Sequence, residues 1–95
     1  TTFGYKAALW LNALLDLAER SDAARTRLPL QFGGAAGTLA AYGDAGPALR
    51  DALAAMLGLA ARLPWHTDRT VVRELAALLA GLCAAAGKIG HDLVL

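Results

Sequence analysis

The stretch Leu30-Gln31-Phe32-Gly33-Gly34-Ala35-Ala36-Gly37-Thr38 places three glycines and a threonine inside an otherwise Ala/Leu-rich sequence. Glycine within a helical pattern costs roughly 1 kcal/mol against alanine, so the run marks a backbone that turns sharply or admits a close neighbour. Two readings follow from the residues alone. A helix beginning at this run would offer free N–H groups to a carboxylate or phosphate; otherwise the run is a connection between helices with no ligand. Neither G-x-G-x-x-G nor G-x-x-x-x-G-K-[ST] is matched, so the run carries no nucleotide-loop signature.

A second cluster is Pro64-Trp65-His66-Thr67-Asp68-Arg69. Histidine exchanges protons near neutral pH, and arginine grips a carboxylate through two parallel hydrogen bonds. The structural alternative is a helix start, with Thr67 or Asp68 as cap, Trp65 packed inward, and His66 and Arg69 solvated. Near the C-terminus, His91 lies about seven helical turns from His66 on a continuous helix, so one chain cannot close a two-histidine metal site. Lys88 and Asp92, four residues apart, read as a surface ion pair. No Ser/His/Asp or Cys/His nucleophile arrangement can be assembled. No catalytic residue is assigned, and no metal site is expected from this spacing.

The elements that must position these groups are helical. Phe3, Ala7, Trp10, Leu14 and Leu17 recur at heptad spacing, widened by Leu11, Leu15 and Ala18, with Asn12, Asp16, Glu19 and Arg20 opposite. This predicts a helix from about Gly4 to Arg25, with the Thr1-Thr2 hydroxyls at its start. Residues 27 to 33 are expected to be extended or irregular. A short helix over Ala35 to Tyr42, a turn at Gly43 to Gly46, and a helix from Pro47 to Met56 or Leu59 follow. The last helix is expected from near Asp68 to the end, about 40 Å long. Val72, Leu75, Leu79, Leu82, Ala86, Ile89 and Leu93 form one seam on it. Ala77, Gly81, Ala84 and Lys88 form a second face that lets another helix approach.

The fold class is therefore all-α, part of a long-helix bundle with two long helices and two short ones, and residues 1–95 form a single stretch of it. The composition is 57% hydrophobic and 18% charged, more apolar than a small domain needs. Self-association, or further sequence, is the expected cover. A net charge of +1 gives no electrostatic footprint for nucleic acid or an anionic membrane. The uncharged run from Leu75 to Gly87 is shorter than the roughly 18 to 20 residues of a membrane span, and no signal peptide is visible. Cys83 has no partner for an internal disulfide and is expected to be a buried, reduced thiol of a cytoplasmic protein. The chain opens without methionine and in the middle of a pattern, which reads as a piece of something longer.

Several ordered segments resemble one family. Thr1-Thr2-Phe3-Gly4-Tyr5-Lys6-Ala7-Ala8 resembles the helix start that follows the catalytic-histidine motif of the fumarase/aspartase superfamily. Leu30 to Ala40 resembles its G-G-A-x-G-T segment. Leu63-Pro64-Trp65-His66-Thr67 with Arg69, and Gly87-Lys88-Ile89 with Asp92, resemble the P-W-H-x-x-R and G-K-I-x-x-D patterns of the carboxymuconate cycloisomerase branch. Thr70 and Gly90-His91 stand where that branch often has an acidic residue and alanine-arginine.

The resemblance implies a cytoplasmic, all-helical homotetramer with a central bundle shared among subunits. It also implies closure of 3-carboxy-cis,cis-muconate to a carboxymuconolactone in aromatic catabolism (the β-ketoadipate pathway of protocatechuate), without cofactor or metal. The shared chemistry moves a proton alpha to a carboxylate while fixed donors hold the negative charge. By resemblance, Gly33, Gly34, Gly37 and Thr38 line the substrate cleft, and Arg69, with His66 and Thr67, holds a carboxylate of a small polycarboxylate substrate. The family's histidine motif and its serine loop would lie upstream and downstream of these residues. The alternatives are a sister lyase releasing fumarate, like adenylosuccinate lyase, and a non-enzymatic helical dimerisation module.

Overall fold

The computed structural model describes residues 1–95: three α-helices and one 3-10 helix, with no extended sheet. Helix α1 spans Phe3–Arg27, a 3-10 helix spans Ala40–Ala45, α2 spans Gly46–Leu57 and α3 spans Thr70–Val94. The backbone divides into two compact units, one of residues 1–24 with 73–95, the other of residues 25–72.

In the first unit α1 lies against α3. The Thr2 hydroxyl caps α1 by accepting the Tyr5 amide at 3.1 Å. Ala7, Trp10 and Leu17 are half-buried, as the heptad stripe predicts. Phe3 meets the Trp10 ring edge-on at 5.7 Å but stays 69% exposed, and Leu11 and Leu15 of the widened stripe are also exposed. Trp10 pairs with Asp92 and Leu17 meets Gly81, so the two helices run antiparallel. A Cβ on Gly81 would sit 3.0 Å from Leu17 Cδ2, the close approach expected at that glycine, whereas Ala77, Ala84 and Lys88 of the same expected face are exposed.

Of the expected seam on α3, Val72, Leu75, Leu79, Leu82 and Leu93 are exposed in this chain, while Ile89 is half-buried. The half-buried positions of the helix are Val71, Leu78, Gly81, Ala85, Ile89 and Asp92. Helix α1 thus covers one side of α3 and leaves the leucines of the seam open. Cys83 is exposed rather than buried; it falls about half a turn away from Gly81 and Ala85. Length and composition also bear on the membrane expectation. Although the uncharged run is short, the most apolar 18-residue window of α3 has a mean hydropathy of 1.5, enough to cross a bilayer on those criteria. A core helix of a bundle has the same composition.

The second unit is built on an extended segment. Arg27 ends α1 because Leu28 precedes Pro29, and a residue before proline is steered out of the helical region. Pro29 then pairs with Ala60 in a parallel bridge: the Leu30 amide donates to the Ala60 carbonyl at 2.8 Å, and the Ala60 amide to Leu28 at 2.9 Å. Residues 28 to 33 are thus outside any helix, as expected, while Arg27 still belongs to α1. Pro47 lies in the first turn of α2, and Gly58 ends that helix in the left-handed region at φ 70. There the Leu59 amide donates back to the Ala54 carbonyl at 2.9 Å, the usual closure for a helix ending in glycine. Leu30, Leu39 and Ala54 are the buried apolar side chains of this unit.

The short helix expected over Ala35 to Tyr42 does not form. Residues 35 to 38 are turn and bend, and only Ala40–Ala45 is helical, as a 3-10 segment with non-helical backbone at Gly43.

Candidate functional site

The glycine run is a closed loop, not a helix N-terminus. The Leu39 amide donates to the Gly33 carbonyl at 2.9 Å and pins the neck; the Gly37 amide donates to Gly34 at 3.4 Å across the tip. Leu39 leaves the loop with φ 56, a left-handed conformation unusual for a side chain branched at Cγ. It is held there by that neck bond, by a Tyr42 amide donating to its carbonyl at 3.1 Å, and by burial against Gly46, whose Cβ position lies 2.9 Å from Leu39 Cβ. A strained residue that its surroundings over-determine fits a loop whose shape is fixed. Phe32 and Tyr42 close the flank with ring centroids 5.4 Å apart.

The second predicted cluster packs on this loop. A Cβ on Gly33 would lie 2.8 Å from Gly37 Cα and 3.0 Å from Pro64 Cβ. Gly37, at φ 78, faces His66, whose Cβ is 3.6 Å from the corresponding position. Three of the predicted site residues, Gly33, Gly37 and His66, are therefore brought together although some thirty residues separate them in the chain. Gly34 and Thr38 belong to the same loop and are exposed. Thr67 and Arg69 lie exposed on the segment leading into α3, and no hydrogen bond or ion pair joins them to the loop.

Gln31, to which the sequence alone assigns no role, joins Trp65 in holding the clusters together. Gln31 Oε1 accepts the Trp65 backbone amide at 2.7 Å, and the Trp65 indole donates to the Leu30 carbonyl at 3.2 Å. Gln31 carries no local signal for this role, since its partner is 34 positions away. Asp68 starts α3: its carboxylate accepts the Thr70 amide at 2.9 Å and the Thr70 hydroxyl at 2.7 Å. Those two bonds hold the Asp68 carboxyl below its usual range. Of the two capping candidates it is Asp68, not Thr67, that acts.

A separate polar centre lies in the first unit. Lys88 Nζ donates to Asp92 Oδ1 at 2.7 Å, and the Trp10 indole donates to Oδ2 at 2.9 Å. The Asp92 side chain is only 7% exposed, so this is more than a surface pair. The Lys88 ammonium first, then the Trp10 indole, lowers the Asp92 pKa. A cavity of about 200 Å³ beside it is lined by Tyr5, Lys6, Trp10, Ala85, Lys88 and Asp92 among others. No group of three or more His, Cys, Asp or Glu side chains is placed to hold a metal ion.

With the fold all-helical and the glycine loop described, comparison with known proteins gives the class. The chain is 45% identical to nitrosuccinate lyase of Streptomyces davaonensis across 97% of its own length and 21% of that protein. It is also 45% identical to the 3-carboxy-cis,cis-muconate cycloisomerases of Bradyrhizobium diazoefficiens (98% of this chain, 21% of the relative) and Pseudomonas aeruginosa (99% and 21%). The chain belongs to the fumarase/aspartase superfamily, and it spans about a fifth of the length of these relatives. No family model matches it, and no solved structure matches it.

Proposed function

We propose that these residues are the central portion of an enzyme that converts 3-carboxy-cis,cis-muconate to a carboxymuconolactone, with the Gly33–Thr38 loop as one wall of its carboxylate-binding cleft. The observation that carries this reading is the packing of His66 on Gly37, which joins two segments that each resemble the cycloisomerase pattern. In such a lactonisation a carboxylate oxygen bonds to an alkene carbon and a proton is delivered alpha to another carboxylate. Gly33, Gly34, Gly37 and Thr38 shape the cleft, while Arg69, with His66 and Thr67, holds a carboxylate and the charge that develops on it. The proton-transfer groups come from elsewhere in the complete protein, so the 95-residue chain by itself has no lactonising activity. Detectable turnover by the purified chain overturns that.

A sister lyase is the second reading, favoured by the equal 45% identity to nitrosuccinate lyase and to the cycloisomerases. Substrate profiling of the complete protein separates the two. Lactone formation from carboxymuconate supports the first reading; fumarate release from a substituted succinate with no lactone formation supports the second.

The exposed leucines of α3 support assembly into a homo-oligomer, a tetramer in the complete protein, with the long helices buried between subunits. An unpaired Cys83 thiol suits a reducing, cytoplasmic setting.

A further inference from the structure

We infer that Gln31 is a positioning residue that sets His66 against the glycine loop and thereby tunes affinity for the substrate carboxylate. The inference rests on the reading above, in which that loop and His66 line the cleft. Trp65 is tied at three points, one of them its carbonyl, which accepts the Asp68 amide at 2.9 Å and closes a turn over His66 and Thr67. Its amide donates to Gln31 Oε1 at 2.7 Å, and its indole donates to the Leu30 carbonyl at 3.2 Å. Leu30 is itself fixed, being buried and bonded through its own amide to Ala60 at 2.8 Å.

Pro64 and His66, the residues on either side of Trp65, both meet the loop: Pro64 at Gly33 and His66 at Gly37. Trp65, whose indole is bonded to Leu30, thus stands between two residues that meet the glycines, and fixing its backbone fixes where the turn carrying His66 begins. Of these ties only the Gln31 bond holds the peptide group between Pro64 and Trp65; the Asp68 bond holds the next peptide within its own local turn. The indole bond acts through a side chain with two rotatable bonds and leaves the Pro64–Trp65 peptide free to turn. Gln31 is exposed, so burial does not explain a glutamine at this position, whereas the bond does.

The test is a double-mutant cycle in the complete protein, with Gln31→Met, His66→Ala and the pair assayed on carboxymuconate. Methionine keeps the length of the side chain and lacks the strong acceptor. Faster amide exchange at Trp65 checks that the bond is lost. Gln31→Met is expected to raise KM roughly two- to tenfold, the range for one lost hydrogen bond, with kcat changed less than about twofold. Added to His66→Ala, it is expected to raise KM no further. An unchanged KM in Gln31→Met overturns the inference. So does an equal rise in the His66→Ala background, or a Gln31→Met protein that does not fold, since each makes Gln31 merely structural. If His66→Ala itself leaves KM unchanged, the assignment of His66 to the cleft falls and the inference falls with it; that failure is distinguished by appearing in the single variant.

Discussion

Gly33 and Gly58 are glycines for different physical reasons, and substitution separates them. A Cβ on Gly33 would lie 2.8 Å from backbone of Gly37, which has nowhere to retreat. Gly33→Ala is therefore expected to cost on the order of 1–3 kcal/mol through overpacking and to displace Pro64 and His66. At Gly58 nothing lies within 4 Å, but φ is 70. Gly58→Ala pays only the left-handed penalty of roughly 1–2 kcal/mol and leaves the loop intact. Thermal melting, with amide shifts of residues 33 to 39 as the local reporter, distinguishes the two. Asp92 supplies a pH prediction. Its pKa is depressed in the folded chain, so its contribution to stability is present above the ordinary carboxylate range and is lost as pH falls through the lowered value. Lys88→Met is expected to raise that pKa more than Trp10→Phe, because the ammonium is the larger cause. An NMR titration of the Asp92 carboxyl reads both. The identity of the glycine loop was legible in the sequence, since clustered glycines announce close backbone approach. The Trp10–Asp92 bond was not, because it joins residues 82 apart.

For the helices, periodicity located the long elements well and placed the α1 contact on α3 only in part. Helix α1 begins and ends within two residues of its expected bounds, because Thr2 and Pro29 mark both ends in the sequence. Two faces are expected of the third helix, and within this chain α1 covers Leu78, Gly81, Ala85 and Ile89. Gly81 of the small-residue face and Ile89 of the seam are among them, while Ala77, Ala84 and Lys88 are exposed. The helix expected from Ala35 does not form. Alanine favours helix locally, but the Leu39-to-Gly33 neck bond closes the segment into a loop, a non-local event that propensity does not see. At the start of α3, Asp68→Ala removes the acceptor for two Thr70 donors. It is expected to fray the first turn, seen as faster amide exchange at Thr70 to Arg73 with little change near Leu82. Acidification through the lowered Asp68 pKa is expected to produce the same fraying in the parent sequence.

Across the whole molecule, the apolar surface exceeds what 95 residues can bury, and the leucines left open on α3 show where the excess lies. The chain is expected to self-associate at micromolar concentration, and charged substitutions at Leu79 and Leu82 together are expected to abolish this while leaving Trp10 and Asp92 in contact. Sedimentation checks it; a stable, well-folded monomer of the parent sequence contradicts it. The two compact units add something to how such a chain can be followed. The sequence contains two tryptophans, and each unit holds one: Trp10 bonded to Asp92 in the first, Trp65 bonded to Leu30 in the second. Replacing either by phenylalanine leaves a single indole whose emission reports one unit alone. Paired urea titrations of the two variants then reveal whether the helix pair and the glycine-loop unit unravel in one event or in sequence, making the chain its own two-channel gauge of cooperativity.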